Sequence, residues 1–123
     1  MRPAGLDQIL AFFYRPQGRI GRAEFALGVG LVYALGLAIL FFFLGRFDPE
    51  SGAFAVAIVT SLPLSVAMLV IIAKRCHDIG LPGTFLLLVF VPVVGVVWLI
   101  ALMLMPGTAG PNAYGPAPQL APD

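Results

Sequence analysis

The stretch FALGVGLVYALGLAILFFFLG, residues 25–45, runs for about 20 residues without Lys, Arg, Asp, Glu or His. A helix of that length spans the hydrocarbon core of a bilayer, where every backbone polar group must be satisfied within the segment. Working outward, two further runs share the property: AFAVAIVTSLPLSVAMLVIIA at 53–73 and FLLLVFVPVVGVVWLIALMLM at 85–105. The chain therefore reads as an all-α integral membrane protein with three transmembrane helices, about 25–45, 53–73 and 85–105. Residues 1–24 form an N-terminal segment with a short interfacial helix and a basic turn, 25–105 the three-span domain, and 106–123 an extended Pro/Gly-rich tail. Only 11% of the 123 residues are charged against 60% hydrophobic, and mean hydropathy is +1.01. No piece outside the runs is long enough for a core of its own.

Charge is placed unevenly. Arg2, Arg15, Arg19 and Arg22 precede the first run, Lys74 and Arg75 stand between the second and third, and Arg46 alone separates the first from the second. Short loops with excess Lys and Arg stay inside, which puts the N-terminus inside and, with three crossings, the C-terminus outside. The apolar stretch Ile9–Tyr14 is too short for the core of a signal peptide, so the first run is expected to be retained. A net charge of +1 gives no reason to expect nucleic acid as a partner, and the single Cys76 excludes an intramolecular disulfide.

Leu6, Ile9, Leu10 and Phe13 recur at helical spacing, as in a helix lying in an interface. Pro16–Gly21 reads as a turn, and Glu24 complements the positive end of the helix that follows. Along the first span Ala26, Gly30, Ala34 and Ala38 repeat every four residues, a small-residue seam suited to close packing against another span or a second copy. Asp48-Pro49-Glu50-Ser51 reads as a helix start with Asp48 as N-cap. Thr60, Ser61 and Ser65 flank Pro63, where their hydroxyls are placed to satisfy the carbonyl that proline leaves unpartnered. Pro92 with Gly95 marks a second candidate kink, and Trp98 is deep enough in its span to pack against a neighbour. Pro106, Pro111, Pro116, Pro118 and Pro122, alternating with Gly and Ala, favour a tail without a fold.

Four ordered motifs surround the runs: FYRPQGRIGRAEF at 13–25, KRCHDIG at 74–80, Pro92 with Gly95, and PGTAGPNAYGP at 106–116. In these the chain resembles the bacterial inner-membrane family known as domain of unknown function 805, over nearly its whole length. It departs at Ala26 and at Leu81–Phe85, where relatives often carry Trp. The resemblance implies a small multi-pass protein of the bacterial inner membrane with no established activity. On that footing the N-terminus is expected to be cytoplasmic and the C-terminus periplasmic.

Two crossings separate residues 19–24 from 74–83, so Arg19, Arg22, Glu24, Lys74, Arg75, His77 and Asp78 share one face. Asp78 at a helix C-terminus opposes the dipole and calls for a cation, supplied by Lys74 or Arg75 on its own helix or by Arg19 or Arg22 across helices. Glu24 is expected to meet Arg75 or Lys74. This cluster either locks helices together or holds an anionic headgroup or phosphate, which clustered arginines bind in bidentate fashion. Cys76, His77 and Asp78 are consecutive on a helix and point apart, so no metal site is expected. No nucleophile stands beside His77, and neither a catalytic constellation nor a cofactor motif is present. Asn112 and Tyr114 fall across the bilayer from His77 in the three-span reading. The function expected is a binding or accessory module whose partners are membrane lipids, a second copy or another membrane protein. The alternative is a subunit of an oligomeric transporter or channel lined by Thr60, Ser61 and Ser65.

Overall fold

The computed structural model describes residues 5–46 and 48–118; Arg2 and Pro122, which enter the charge and proline patterns above, lie outside that range. Among the described residues every regular element is helical. In order these are α1 (Leu6–Tyr14), α2 (Arg22–Arg46), a short 3-10 turn (Pro49–Ser51), α3 (Ala53–Ile79), a 3-10 helix (Gly83–Phe90) and α4 (Val94–Leu104). α2 and α3 are long and apolar enough to cross a membrane, each with a mean hydropathy of 2.5 over its apolar window.

The ends of the two long helices follow from local chemistry. The Glu24 carboxylate accepts the Gly21 amide at 3.3 Å, while Phe25 N donates to Gly21 O at 2.9 Å. The acid in the first turn thus satisfies an orphan donor and complements the dipole. α3 stops at Gly80, whose φ of +92° favours glycine. Leu81 N reaches Cys76 O at 2.9 Å and Gly80 N reaches His77 O at 3.0 Å, the paired bonds of a Schellman ending. At the other end the expected helix start at Asp48 is displaced. Ser51 N and Oγ both return to Asp48 O and close a 3-10 turn, Gly52 takes φ +82°, and α3 begins at Ala53.

The core lies where α2, α3 and α4 meet: Phe25, Val29 and Val32 from α2, Ala67, Ile71, Ile72 and Cys76 from α3, and Leu102 from α4. Phe12 and Phe13 bring α1 onto this core. At Gly28 an added Cβ would stand 3.1 Å from Ile71 Cδ1 and 3.3 Å from the Phe12 ring, so glycine lets all three helices close up. The face of α1 carrying Leu6, Ile9 and Leu10 remains exposed.

The third apolar run is not one helix. It runs in as a 3-10 helix, reverses at Val91–Val93 and returns as α4. Both of its ends lie at the Arg75–Asp78 end of α3. Gly83 stands beside His77, where an added Cβ would be 3.2 Å from Nε2, and Arg75 Nε reaches Leu102 O at 2.7 Å. The reversal is a γ-turn, with Val94 N on Pro92 O at 2.7 Å and Val93 at φ 66°, ψ −53°. That conformation is rare and strained for a β-branched residue. Gly95 makes the hairpin possible, because a Cβ there would collide with the Val89 carbonyl. The expectation of a third crossing, and with it a tail at the far end from Arg19 and His77, is therefore corrected.

The small-residue seam is corrected as an intramolecular contact. Ala26, Gly30, Ala34 and Ala38 are exposed, and nothing lies within 4 Å of a Cβ built on Gly30. The packing face of α2 is instead Phe25, Gly28, Val29 and Val32, because larger apolar residues fill the space between helices better than the alanine row does. The hydroxyls around Pro63 return to their own helix, Thr60 to Val56 and Ala57, Ser61 to Ile58, and Ser65 to Ser61; these acceptors are not Val59 O, the carbonyl that Pro63 leaves unpartnered, which corrects that expectation. The Pro63 carbonyl itself accepts Tyr14 Oη from α1 at 3.0 Å.

Candidate functional site

At the end of the core nearest Gly80 three cations meet one carboxylate and a set of backbone carbonyls. Asp78 and Arg75 sit in the last turn of α3, three residues apart on one face, and both are fully buried. Arg19, from the α1–α2 linker, is 1% exposed in its side chain. Arg75 Nη1 donates to Asp78 Oδ2, and Arg19 places both Nε and Nη2 at 2.9 Å from Oδ1. The carboxylate thus bridges two guanidiniums, one from its own helix and one from the linker. Two cations against one anion relieve its unfavourable position at a helix C-terminus.

The arginines' remaining donors go to carbonyls. Arg75 Nη1 also reaches Ile20 O at 3.1 Å, while Nε and Nη2 take Leu102 O and Met105 O at the C-terminal end of α4. Arg19 Nη1 reaches Gly110 O at 2.7 Å and Gly115 O at 3.3 Å, and its Nη2 reaches Thr108 O at 2.7 Å. A planar fork with five donors is the side chain able to meet so many acceptors at once. Lys74, also buried, caps α1 by donating to Ala11 O at 3.0 Å and Phe12 O at 2.8 Å. Each cation therefore sits at the carbonyl-rich C-terminal end of a helix or in a turn.

The Pro/Gly-rich segment 106–118 is part of this centre and not a loose tail. Thr108 N donates to Asp78 O at 2.7 Å and Asn112 Nδ2 to His77 O at 2.9 Å, so the segment caps the end of α3. Asn112 Oδ1 accepts Tyr114 N at 2.8 Å, and Asn112 and Gly115 exchange backbone bonds, which closes a tight turn. The Tyr114 ring lies on His77, 4.3 Å between centroids and 4° from parallel. His77 Nδ1 lies 3.0 Å from Gly18 O, which fixes the proton on that nitrogen in the neutral ring.

The seven residues of the expected charged cluster lie at this end, and they divide. Arg19, Arg75 and Asp78 bond directly. Lys74 turns to α1, and His77 turns to Gly18 and Tyr114. Arg22 is exposed, with Nη1 3.3 Å from Leu104 O. Glu24 accepts the Gly21 amide, and its charge acts on the Lys74 ammonium from a distance, so the expected pairing with Lys74 is electrostatic and not a direct bond. The backbone acceptors Ile20, Leu102, Met105, Thr108, Gly110 and Gly115, and the partner ring Tyr114, carry no signal as ligands in the sequence. The available hint was an arginine-rich end facing the uncapped C-terminus of an apolar helix, which calls for donors.

The family model for proteins of unknown function (DUF805) matches residues 13–116, and the chain belongs to that family. The match begins one residue before the end of α1 and ends just past the turn that covers His77. Among curated proteins and among solved structures nothing matches the chain.

Proposed function

We propose that this chain is a membrane-embedded accessory module of the bacterial inner membrane, in which the Arg19–Asp78–Arg75 centre locks the helices, the hairpin and the C-terminal segment together. The observation that carries the reading is the contrast between its two ends of polarity. The apolar windows of α2 and α3 are only 17% and 22% buried, with Leu27 75% and Phe41 69% exposed. A soluble protein rarely leaves so much contiguous apolar surface in water, whereas hydrocarbon accepts it. The charges that would be costly there are gathered at one end, paired with one another or with carbonyls. In this placement α2 and α3 cross the bilayer, and residues 83–105 form a re-entrant hairpin, tolerated because its 3-10 arm packs on α3 and α4.

The same bonding favours locking over headgroup capture. A bidentate phosphate site needs guanidinium donors facing outward, but those of Arg19 and Arg75 face carbonyls and a carboxylate inside the chain. The transporter alternative draws less support, since the Thr60, Ser61 and Ser65 hydroxyls are bonded to their own helix. The test is extraction from bacterial membranes. The chain should sediment with membranes after washing at alkaline pH and high salt, and leave them only in detergent. Release by the alkaline wash alone would sink the membrane reading.

A further inference from the structure

The hairpin covers only the half of the α2–α3 face nearest the arginine centre, because it reverses at Val91–Val93. Beyond the reversal a cavity of about 460 Å³ opens between the helices, walled by Val32, Gly36, Leu40, Leu64, Met68 and Phe90. A smaller space of about 190 Å³ shares Gly36, Leu40 and Ser61 with it and extends to Ile39 and Phe54. Together they follow α3 from Ile72 to Phe54, roughly 27 Å at 1.5 Å per residue. The Ser61 and Ser65 hydroxyls are bonded to carbonyls of α3 itself, so the walls offer little to a polar solute.

We infer that this groove holds one acyl chain of a zwitterionic aminophospholipid whose headgroup sits at the Arg46 turn, an inference that rests on the membrane placement proposed above. The shape selects the occupant. The two spaces, about 460 and 190 Å³, are strung out along roughly 27 Å of α3, a shape that suits a single hydrocarbon chain, which is long and thin. An empty slot would cost its walls their dispersion contacts, and the surrounding medium supplies chains to fill it. The headgroup follows from charge at the mouth. Ile39 lies seven residues, about 10 Å, below Arg46. Arg46 is exposed with its guanidinium 5.3 Å from the Phe42 centroid, and Asp48 and Glu50 stand exposed in the same turn. One cation beside two carboxylates complements a phosphate that carries an ammonium better than it does a purely anionic head.

Gly36 allows a clean test, since nothing lies within 4 Å of a Cβ built there and a larger side chain can enter the groove without moving backbone. The full chain is reconstituted in vesicles of equal phosphatidylethanolamine and phosphatidylglycerol, extracted gently and weighed by native mass spectrometry. One phosphatidylethanolamine per chain is expected, falling about tenfold in Gly36→Leu as the packing contacts are lost. Ser65→Leu fills the same groove and should act alike, so misfolding of one variant leaves the other to decide. Arg46→Gln should abolish the headgroup preference while leaving a lipid bound. Unchanged retention in both groove-filling variants overturns the inference. So does equal retention of both lipids by the native chain, or a dimer that separates in Gly36→Leu, which would give the groove to a second copy. A chain that fails to float with the vesicles refutes the membrane placement itself.

Discussion

At the scale of the residue, Asp78 is the point on which the Gly80 end of the core depends. It is fully buried and holds both Arg19 and Arg75, so removing its charge takes the counter-charge from two desolvated cations. Asp78→Asn should cost about 3–5 kcal/mol of unfolding free energy in detergent, the range for breaking a buried pair from one side. Arg22→Gln, at an exposed side chain, should cost less than about 1 kcal/mol. Arg19→Gln combined with Asp78→Asn should cost less than the sum of the two by about 1 kcal/mol or more, since the pair is counted twice in the singles. Additivity would show that Arg19 is held by the 108–115 carbonyls alone. The demand of Asp78 for a cation from the first segment was legible, because a carboxylate at a helix C-terminus opposes the dipole. The choice of Arg19 over Arg22 was not. It is decided by the carbonyls of Thr108, Gly110 and Gly115, which reach the site only once the hairpin has brought residues 106–116 back.

At the scale of the element, the third apolar run shows how hydropathy loses direction. Residues 85–105 have the length and composition of a crossing helix, and nothing in an average separates a crossing from a hairpin of equal length. Pro92 and Gly95 were visible as a weak point, but a kink and a full reversal demand the same residues. What distinguishes them is tertiary: a glycine that lets α4 touch the Val89 carbonyl, and Arg75 waiting for the returning end. Gly95→Ala should therefore destabilise by about 3 kcal/mol, because the obstacle is backbone and cannot rotate away. Val93→Gly should stabilise by about 1 kcal/mol through relief of its positive φ. Gly30→Leu, in open space, should change monomer stability by no more than about 0.5 kcal/mol. Thermal unfolding of the three variants under one detergent condition checks the set. A large loss at Gly30 would mean that the seam of Ala26, Gly30, Ala34 and Ala38 packs between copies.

At the scale of the whole molecule, the hairpin changes which parts of the chain share a side. With three crossings, Gln17 and Ala113 would lie on opposite faces of the bilayer. With two crossings and a hairpin they lie on one, and Arg19 joins them by bonding the carbonyls of Thr108 and Gly110. Arg2, Arg15 and Arg19 precede α2, Arg22 opens it and Lys74 and Arg75 lie near the end of α3, six in all against Arg46 at the intervening turn, so on the charge rule the shared face is expected to be the cytoplasmic one. Gln17, Ser51 and Ala113 are exposed, so each can carry a reporter. In a background with the buried Cys76 replaced by Ala, single cysteines at these positions are tested with a membrane-impermeant thiol reagent on intact cells. Ser51→Cys should label at once, and Gln17→Cys and Ala113→Cys only after the inner membrane is opened. Labelling of Ala113 together with Ser51 would restore three crossings and require the Arg19–Thr108 and His77–Tyr114 contacts to be absent in the membrane. Labelling of Gln17 and Ala113 together on intact cells, with Ser51 protected, would keep the hairpin and reverse the orientation. The pairing of Gln17 with Ala113 thus reports the fold, and the side on which they label reports only the charge rule.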